Sequence, residues 1–369
     1  MPCDDERYGR LGACVEDGGD GPPEQPVARR TPWDPDDVRN KPGPIENESQ
    51  FAQSVVSPLR YPGAKRRLVP AIETIVQGNV PPPRLMIEPF CGGASTALRL
   101  VGTGVVEHAI LADYDSLVAS FWRTAVFDTA WLIDAMRDEE ITVARWEWWK
   151  QASPRTVRDQ ALKCLFMNRT TFSGILHGRA GPIGGKKQTE TTKYKIDCRF
   201  NKATLAERIE AIGKLGDTGR ILDVWTSDWH ETLSRIGRDY RPRLAPDEIL
   251  VYLDPPYVDK SEFLYHLAFD EKQHSDLAAT LNGADTYRWI LSYDDDQVVR
   301  ALYPVTGGRR VLHARHQYSA AALKARNDTK GRRQSRVELL VTNFPDVPES
   351  DRYHPVDDSS CDICEGRSP

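Results

Sequence analysis

The tetrapeptide Asp254-Pro255-Pro256-Tyr257 directly follows the hydrophobic run EILVYL. Each proline lacks an N–H and has a fixed φ, and the residue before a proline is restricted as well. The turn therefore holds the Asp254 carboxylate and the Pro255 carbonyl as preset acceptors beside the Tyr257 ring. Such a set suits a planar group bearing an amine: the acceptors take its N–H bonds and the ring stacks on its face. A rigid loop with a surface tyrosine is the plainer alternative. The position after a strand favours chemistry, because open parallel sheets bind ligands outside the carboxyl ends of their strands. A second constellation, Glu88-Pro89-Phe90-Cys91-Gly92-Gly93-Ala94, ends the apolar run Leu85 to Ile87. It lacks both the G-x-G-x-x-G spacing and the G-K-[ST] ending, which speaks against a dinucleotide or triphosphate site. A glycine turn at Gly92 still admits close approach by a nucleoside-like ligand. Asp113 ends the next strand and can accept bonds from ribose hydroxyls. Glu88 faces a ligand's ammonium or, more plainly, caps a strand end.

Regular elements must carry these groups. RLMIEPFCGGASTALRLV reads as strand, glycine turn and helix, and HAILADYD as a second strand before a helix over 117–127. This is the opening of a Rossmann-type unit. A helical pattern covers 130–161, with Trp146, Trp148 and Trp149 expected in the core, and 164–200 is long, polar and rich in glycine. KATLAERIEAIGKL predicts a helix with Leu205, Ile209 and Ile212 on one stripe. Strands follow at 221–225, 248–256 and 287–293, and Asp270 with Gln273 makes a capping box for the helix after them. His274 is expected on the surface of that helix. SRVELLVTNF reads as a buried strand. The expected fold is α/β, a mostly parallel Rossmann-like sheet interrupted by a helical and basic insertion of roughly ninety residues.

Charge divides the chain. The net −5 averages unlike parts: residues 1–50 hold 12 acidic and 6 basic side chains with 8 prolines and 6 glycines, and residues 346–369 hold 7 acidic and 2 basic. Both ends read as disordered tails, leaving +6 on the body. Two basic stretches, Arg179 to Lys195 and Arg309 to Arg336, point the body toward a polyanion. No run approaches the length of a membrane helix, and the start is neither a signal nor a transit peptide. Seven scattered cysteines fit a reducing cytoplasm better than a disulfide framework. Cys361-x-x-Cys364 has no partner pair for zinc, and no metal site is expected.

In order along the chain, these segments resemble the Dam-like DNA adenine-N6 methyltransferases. Arg60-Tyr61-Pro62-Gly63-Ala64-Lys65 resembles the family's N-terminal motif, which closes over the methionine part of S-adenosylmethionine and implicates Tyr61 and Lys65. Glu88 to Ala94 resembles the cofactor loop, with Glu88, Phe90 and Gly92 at the ligand, and Asp113 the ribose-binding acid. Asp228-Trp229 is similar to the pair that brackets the cofactor's adenine. Asp254 to Tyr257 matches the catalytic motif, and Asp254 touches the cofactor too. Phe166-Met167-Asn168-Arg169-Thr170-Thr171-Phe172-Ser173-Gly174 resembles the start of the target-recognition region, and Ser292-Tyr293 a short motif at a later strand end. The matches run from about residue 57 to 344. Ala64 stands where a second glycine is common, Tyr114-Asp115 departs from the usual pattern, and the loop beyond Gly174 matches nothing closely.

The resemblance implies a class I S-adenosylmethionine-dependent methyltransferase sheet with a target-recognition insertion. Its expected parts are an acidic tail (1–50), a first catalytic part (51–130), the insertion (131–220), a second catalytic part (221–344) and a tail (345–369). It implies methyl transfer to a flipped-out adenine in double-stranded DNA, by a cytoplasmic bacterial or phage protein, monomeric or weakly dimeric. A separately acting restriction endonuclease is an open partner. The expected DNA contacts are Asn168, Arg169, Arg179, Lys186, Lys187, Arg315 and Tyr318; Asn168 and Arg169 alternatively orient the recognition loop. Cytosine N4 in DNA, adenine in RNA, and DNA binding without turnover stay open as alternatives. A protein-glutamine methyltransferase would begin the catalytic motif with Asn.

Overall fold

The computed structural model describes residues 41–60, 65–257, 269–305, 308–317 and 335–356, with backbone alone for Ser49 and for residues 315–317 and 335–337. The first half-sheet begins where apolar runs lie between turns: β1 (Leu85–Glu88), β2 (His108–Asp113) and β3 (Ile221–Thr226). β4 (Ile249–Leu253) and β5 (Arg288–Asp294) build the other side. All residues of β1, β2 and β4 are buried, as expected for strands covered on both faces, which read as continuous hydrophobic runs. β1 pairs in parallel with β2 and with β4, β2 with β3, and β4 with β5. Chain order therefore reverses between β1 and β4, making the crevice at their carboxyl ends the topological switch point.

Beyond β5 the sheet turns antiparallel. β6 (Arg310–Gln317), β7 (Ser335–Thr342) and β8 (Tyr353–Pro355) complete the order β3-β2-β1-β4-β5-β7-β6-β8, with β7 inserted between β5 and β6. β7 is central, in keeping with its weak alternation. β6 falls within the basic stretch and shows no strand signal strong enough to be read.

Helices α1 (Glu48–Ser54), α2 (Val69–Gln77) and α3 (Ser95–Gly102) flank β1, and α4 (Ser116–Phe127) follows β2. Then come α5 (Thr129–Asp138), α6 (Val143–Gln151), α7 (Val157–Thr170) and α8 (Lys202–Asp217) before β3. Side-chain caps start four of these: Asp115 on α4, Thr142 on α6, Thr156 on α7 and Asn201 on α8. Leu132, Trp146, Trp149, Phe166, Leu205, Ile209 and Ile212 share one apolar cluster with Trp122 of α4 and Met86 of β1. The inserted helices thus extend the core of the sheet. Trp148 departs from the expected core position and is 41% exposed, stacked under Arg145. α9 (Trp229–Arg235), α10 (Glu271–Asn282) and α11 (Gln297–Leu302) complete the helices named here, α10 with its capping box formed.

Both expected tails need correction at their inner ends. Gly43 N–H donates to Thr218 O at 2.8 Å, and Glu48 pairs with Arg220. On the other side Tyr353 is buried and β8 pairs with β6, because an aromatic and an open strand edge outweigh the acidic composition. Residues 1–40 and 357–369, including Cys361 and Cys364, lie outside the described residues. No helix of the described residues is long and apolar enough to cross a membrane.

Candidate active site

Glu88 ends β1, Asp113 ends β2, and Asp254 follows β4, so three acids share the carboxyl ends of neighbouring parallel strands. The loop after β1 is built tightly. Cys91 N–H donates to Ala112 O at 2.9 Å, Gly92 N–H to Asp113 Oδ2 at 2.8 Å, and the Trp122 indole N–H to Gly92 O at 2.7 Å. Gly92 (φ 42°) and Ala94 (φ 47°) both adopt left-handed backbone, a conformation a glycine takes without cost and an alanine holds only when its surroundings fix it.

Asp113 also accepts from Asp115 N–H at 2.9 Å through Oδ1. Burial, and then the nearby Asp115, push its carboxyl up to about 7. Glu88 accepts from Ala97 N–H at 3.2 Å, and burial drives it well above the usual carboxylate range. Phe90 is half-buried, edge-on to Phe269 at 5.7 Å. Beside Asp113, Ser227 N–H donates to its backbone carbonyl. Asp228 then caps α9, accepting from Glu231 N–H at 2.7 Å, while Trp229 is buried.

Asp254 is held through one oxygen. Oδ1 accepts from Ser292 Oγ at 3.1 Å and pairs with Lys65 Nζ at 3.3 Å, and the Tyr252 hydroxyl is 2.9 Å from Ser292 Oγ. Lys65, only 5% exposed, reaches Glu338 Oε2 of β7 at 2.8 Å and sits 4.1 Å from the centre of the Tyr257 ring. The Tyr257 hydroxyl donates to the same Glu338 oxygen at 3.4 Å. Burial acts to lower the Lys65 pKa, but Asp254 and Glu338 together hold it above the ordinary value. Burial raises Asp254 to about 6; Lys65 and Ser292 oppose the rise and Glu338 adds to it.

Lys65, Asp254, Pro255, Pro256 and Tyr257 are thus brought together, and Glu88, Phe90, Gly92, Asp113, Asp228 and Trp229 line the neighbouring strand ends. Tyr61 and Tyr318 lie outside the described residues, as does the Arg315 side chain. Glu338 is the residue missed; its one signal was a carboxylate in mid-strand among Leu and Val. His274 corrects the expected surface position: it is buried at 2%, with Nδ1 2.7 Å from the Tyr293 hydroxyl.

The expected DNA contacts separate. Asn168 is fully buried. Its Oδ1 accepts from Arg60 N–H at 2.6 Å, and its Nδ2 donates to Arg60 O and to Gly174 O, each at 3.1 Å. Direct contact with DNA is therefore corrected to the alternative of loop orientation. Arg169 Nε donates to Arg199 O at 2.7 Å. Arg179 and Lys187 are exposed, and exposed Lys186 pairs with Glu147 at 3.1 Å. They lie in a chain segment between the turn Phe172–Gly174 and α8, anchored by Phe172 N–H to Gly181 O and Ile183 N–H to Thr170 O. Phe172 and Tyr194 project from it, each 57% exposed. Among the described residues no group of three His, Cys, Asp or Glu side chains is arranged to hold a metal ion.

No curated protein matches the chain. Residues 61–218 match the family model described as D12 class N6 adenine-specific DNA methyltransferase, a span that takes in the loop after β1, the acid of β2 and helices α4 to α8.

Proposed function

We propose that this adenine-specific methyltransferase acts on a flipped-out adenine of double-stranded DNA, with Asp254, Pro255, Pro256 and Tyr257 as its transfer centre. Asp254 lies C-terminal to the matched segment, so its role rests on geometry. The carrying observation is its place across the switch point from Glu88, with Oδ1 fastened by Ser292 and Lys65. That leaves Oδ2 to accept one proton of the adenine amine, while the Pro255 carbonyl accepts the other. Adenine's exocyclic lone pair is drawn into the ring, and two such acceptors favour its return to nitrogen as positive charge develops. The base must leave the helix to reach this turn, and the Tyr257 ring is the surface on which it stacks.

The donor set fits S-adenosylmethionine, on which methylation by this family depends. Glu88, Asp113 and Asp254 are carboxyls raised by burial, an arrangement that favours a ligand carrying both a sulfonium and an ammonium. Tyr61, Lys65, Glu88, Phe90, Gly92, Asp113, Asp228, Trp229 and Asp254 would hold it, Asp113 toward the ribose. The bound cofactor supplies the electrophilic methyl group. The chain's residues align the amine, exclude water and receive the proton it releases, for which Asp254 is poised near neutrality. The segment with Arg179, Lys186 and Lys187 faces the duplex as the target-recognition part of the insertion, joined by Arg315 and Tyr318.

The test is expression in cells that lack adenine methylation, followed by mapping of N6-methyladenine. One consistent modified motif is expected, and Asp254→Ala should lower transfer by roughly 10³-fold or more while the thermal transition persists. Full activity in that variant overturns the assignment.

A further inference from the structure

Four arginines converge where the chain enters the Arg60 to Lys65 segment. Arg169 donates through Nε to Arg199 O at 2.7 Å and through Nη1 to Pro58 O at 3.4 Å. Arg208 donates through Nη1 to Ser57 O at 3.3 Å. Arg60 is clamped through its backbone by Asn168, and its Nη1 is buried with no hydrogen-bond partner among the described residues. Arg199 is exposed. The Arg169 and Arg208 guanidinium groups bond to backbone carbonyls, and none of the four pairs with a described carboxylate. The mutual repulsion is visible in Arg169, which burial, and then Arg208, Arg60 and Arg199, pull down to about 10. Arg60 is lowered by burial and by Arg199. Like charges gathered on carbonyls are costly unless an anion joins them, and planar guanidinium forks suit a phosphate.

We propose that Arg60, Arg169, Arg199 and Arg208 form a binding site for a backbone phosphate of the DNA substrate. The proposal rests on the reading that double-stranded DNA is the substrate. Arg60 and Lys65 are five positions apart, a Cα-to-Cα reach of at most roughly 18 Å, and Lys65 touches Asp254. The phosphate therefore lies on the order of one duplex turn, about 34 Å, or less from the base that is methylated. Contacts of this kind set register and carry no sequence information.

The test titrates a short fluorescent duplex with the full chain at several salt concentrations, for wild type, Arg199→Gln, Arg208→Gln and Arg199→Lys. Each Gln variant is expected to bind roughly 3–10-fold more weakly at low salt, with the slope of log affinity against log salt reduced by about 0.9. Arg199→Lys should keep most of the slope, since it keeps the charge. Unchanged S-adenosylmethionine binding shows that the variants are folded. Wild-type slopes in both Gln variants overturn the phosphate site while leaving the enzymatic reading intact. Wild type that neither binds nor methylates duplex DNA overturns the reading beneath it, and the proposal with it.

Discussion

Lys65 pairs with two carboxylates at once, the half-buried Asp254 and Glu338, and Glu338, the acid it shares with Tyr257, is 0% exposed. Removing one partner of a buried pair leaves a charge without compensation, at a cost of about 3–5 kcal/mol. Glu338→Ala should therefore lower stability by that order in urea unfolding. Glu338→Gln should fold and lose transfer rate, with substrate KM less affected, because Lys65 then bears on Asp254 alone. Asp254 itself sets the pH response. With its pKa raised to about 6, the carboxylate proposed to accept the amine proton is present above that value and lost below it, so kcat/KM should fall as pH drops from 7 to 5. Stability runs the other way. A carboxyl raised in the folded state contributes stability below its unfolded value of about 3.9 that is lost as pH rises through the folded value. Asp254 and Asp113 should thus weaken the cofactor-free protein between about pH 4 and 8, as thermal melts can record; a cationic cofactor should offset part of that loss. Asp254 to Tyr257 was legible because four consecutive residues after a strand carry their own geometry. Glu338 was not, because it reaches the site only through the pairing of β7 with β5.

At the scale of elements, parallel strands declared themselves as apolar runs, and the switch point followed from their order. β6 did not, since RVLHARHQ alternates with cationic and imidazole side chains that also fit a basic loop. α10 was legible as a helix, yet His274 was misplaced; with Leu277, Ala278 and Leu281 it forms the buried stripe, a spacing readable from the sequence. The clamp between α7 and the Arg60 segment is purely tertiary. Asn168 bridges residues 108 positions apart, a link that no local periodicity announces. Gly174 sits within the clamp at φ 77°, and a Cβ there would lie 2.1 Å from Arg60 O. Backbone cannot yield as a flexible side chain can, so Gly174→Ala should destabilise by more than about 1 kcal/mol. It should also weaken S-adenosylmethionine binding, because displacement of Arg60 carries through to Lys65. Equilibrium dialysis beside urea unfolding checks both, and unchanged values in both would remove the clamp from the account.

For the whole molecule, the sign of the charge depends on where the chain is divided. Residues 1–40 hold ten acidic and five basic side chains, and residues 357–369 four and one, so the part from 41 to 356 carries +3 where the full chain carries −5. This division keeps Gly43 on Thr218 and β8 on β6, contacts that a cut at the compositional boundaries would discard. A polyanionic duplex approaching the full chain meets repulsion from the acidic ends as well as attraction from the arginine cluster and the exposed loop. The range of both is the Debye length, about 30 Å at 10 mM salt and about 8 Å at 150 mM. A protein trimmed to residues 41–356 should therefore bind duplex DNA several-fold more tightly at low salt, and the advantage should shrink toward physiological salt. Cofactor affinity should not change, since the strand-end acids are retained. If trimmed and full-length proteins bound alike at every salt concentration, the acidic ends would have no electrostatic influence on DNA, and the charge division would be compositional only. A salt-dependent gain would mean that the ends restrain non-specific association, leaving discrimination to contacts close enough to escape screening.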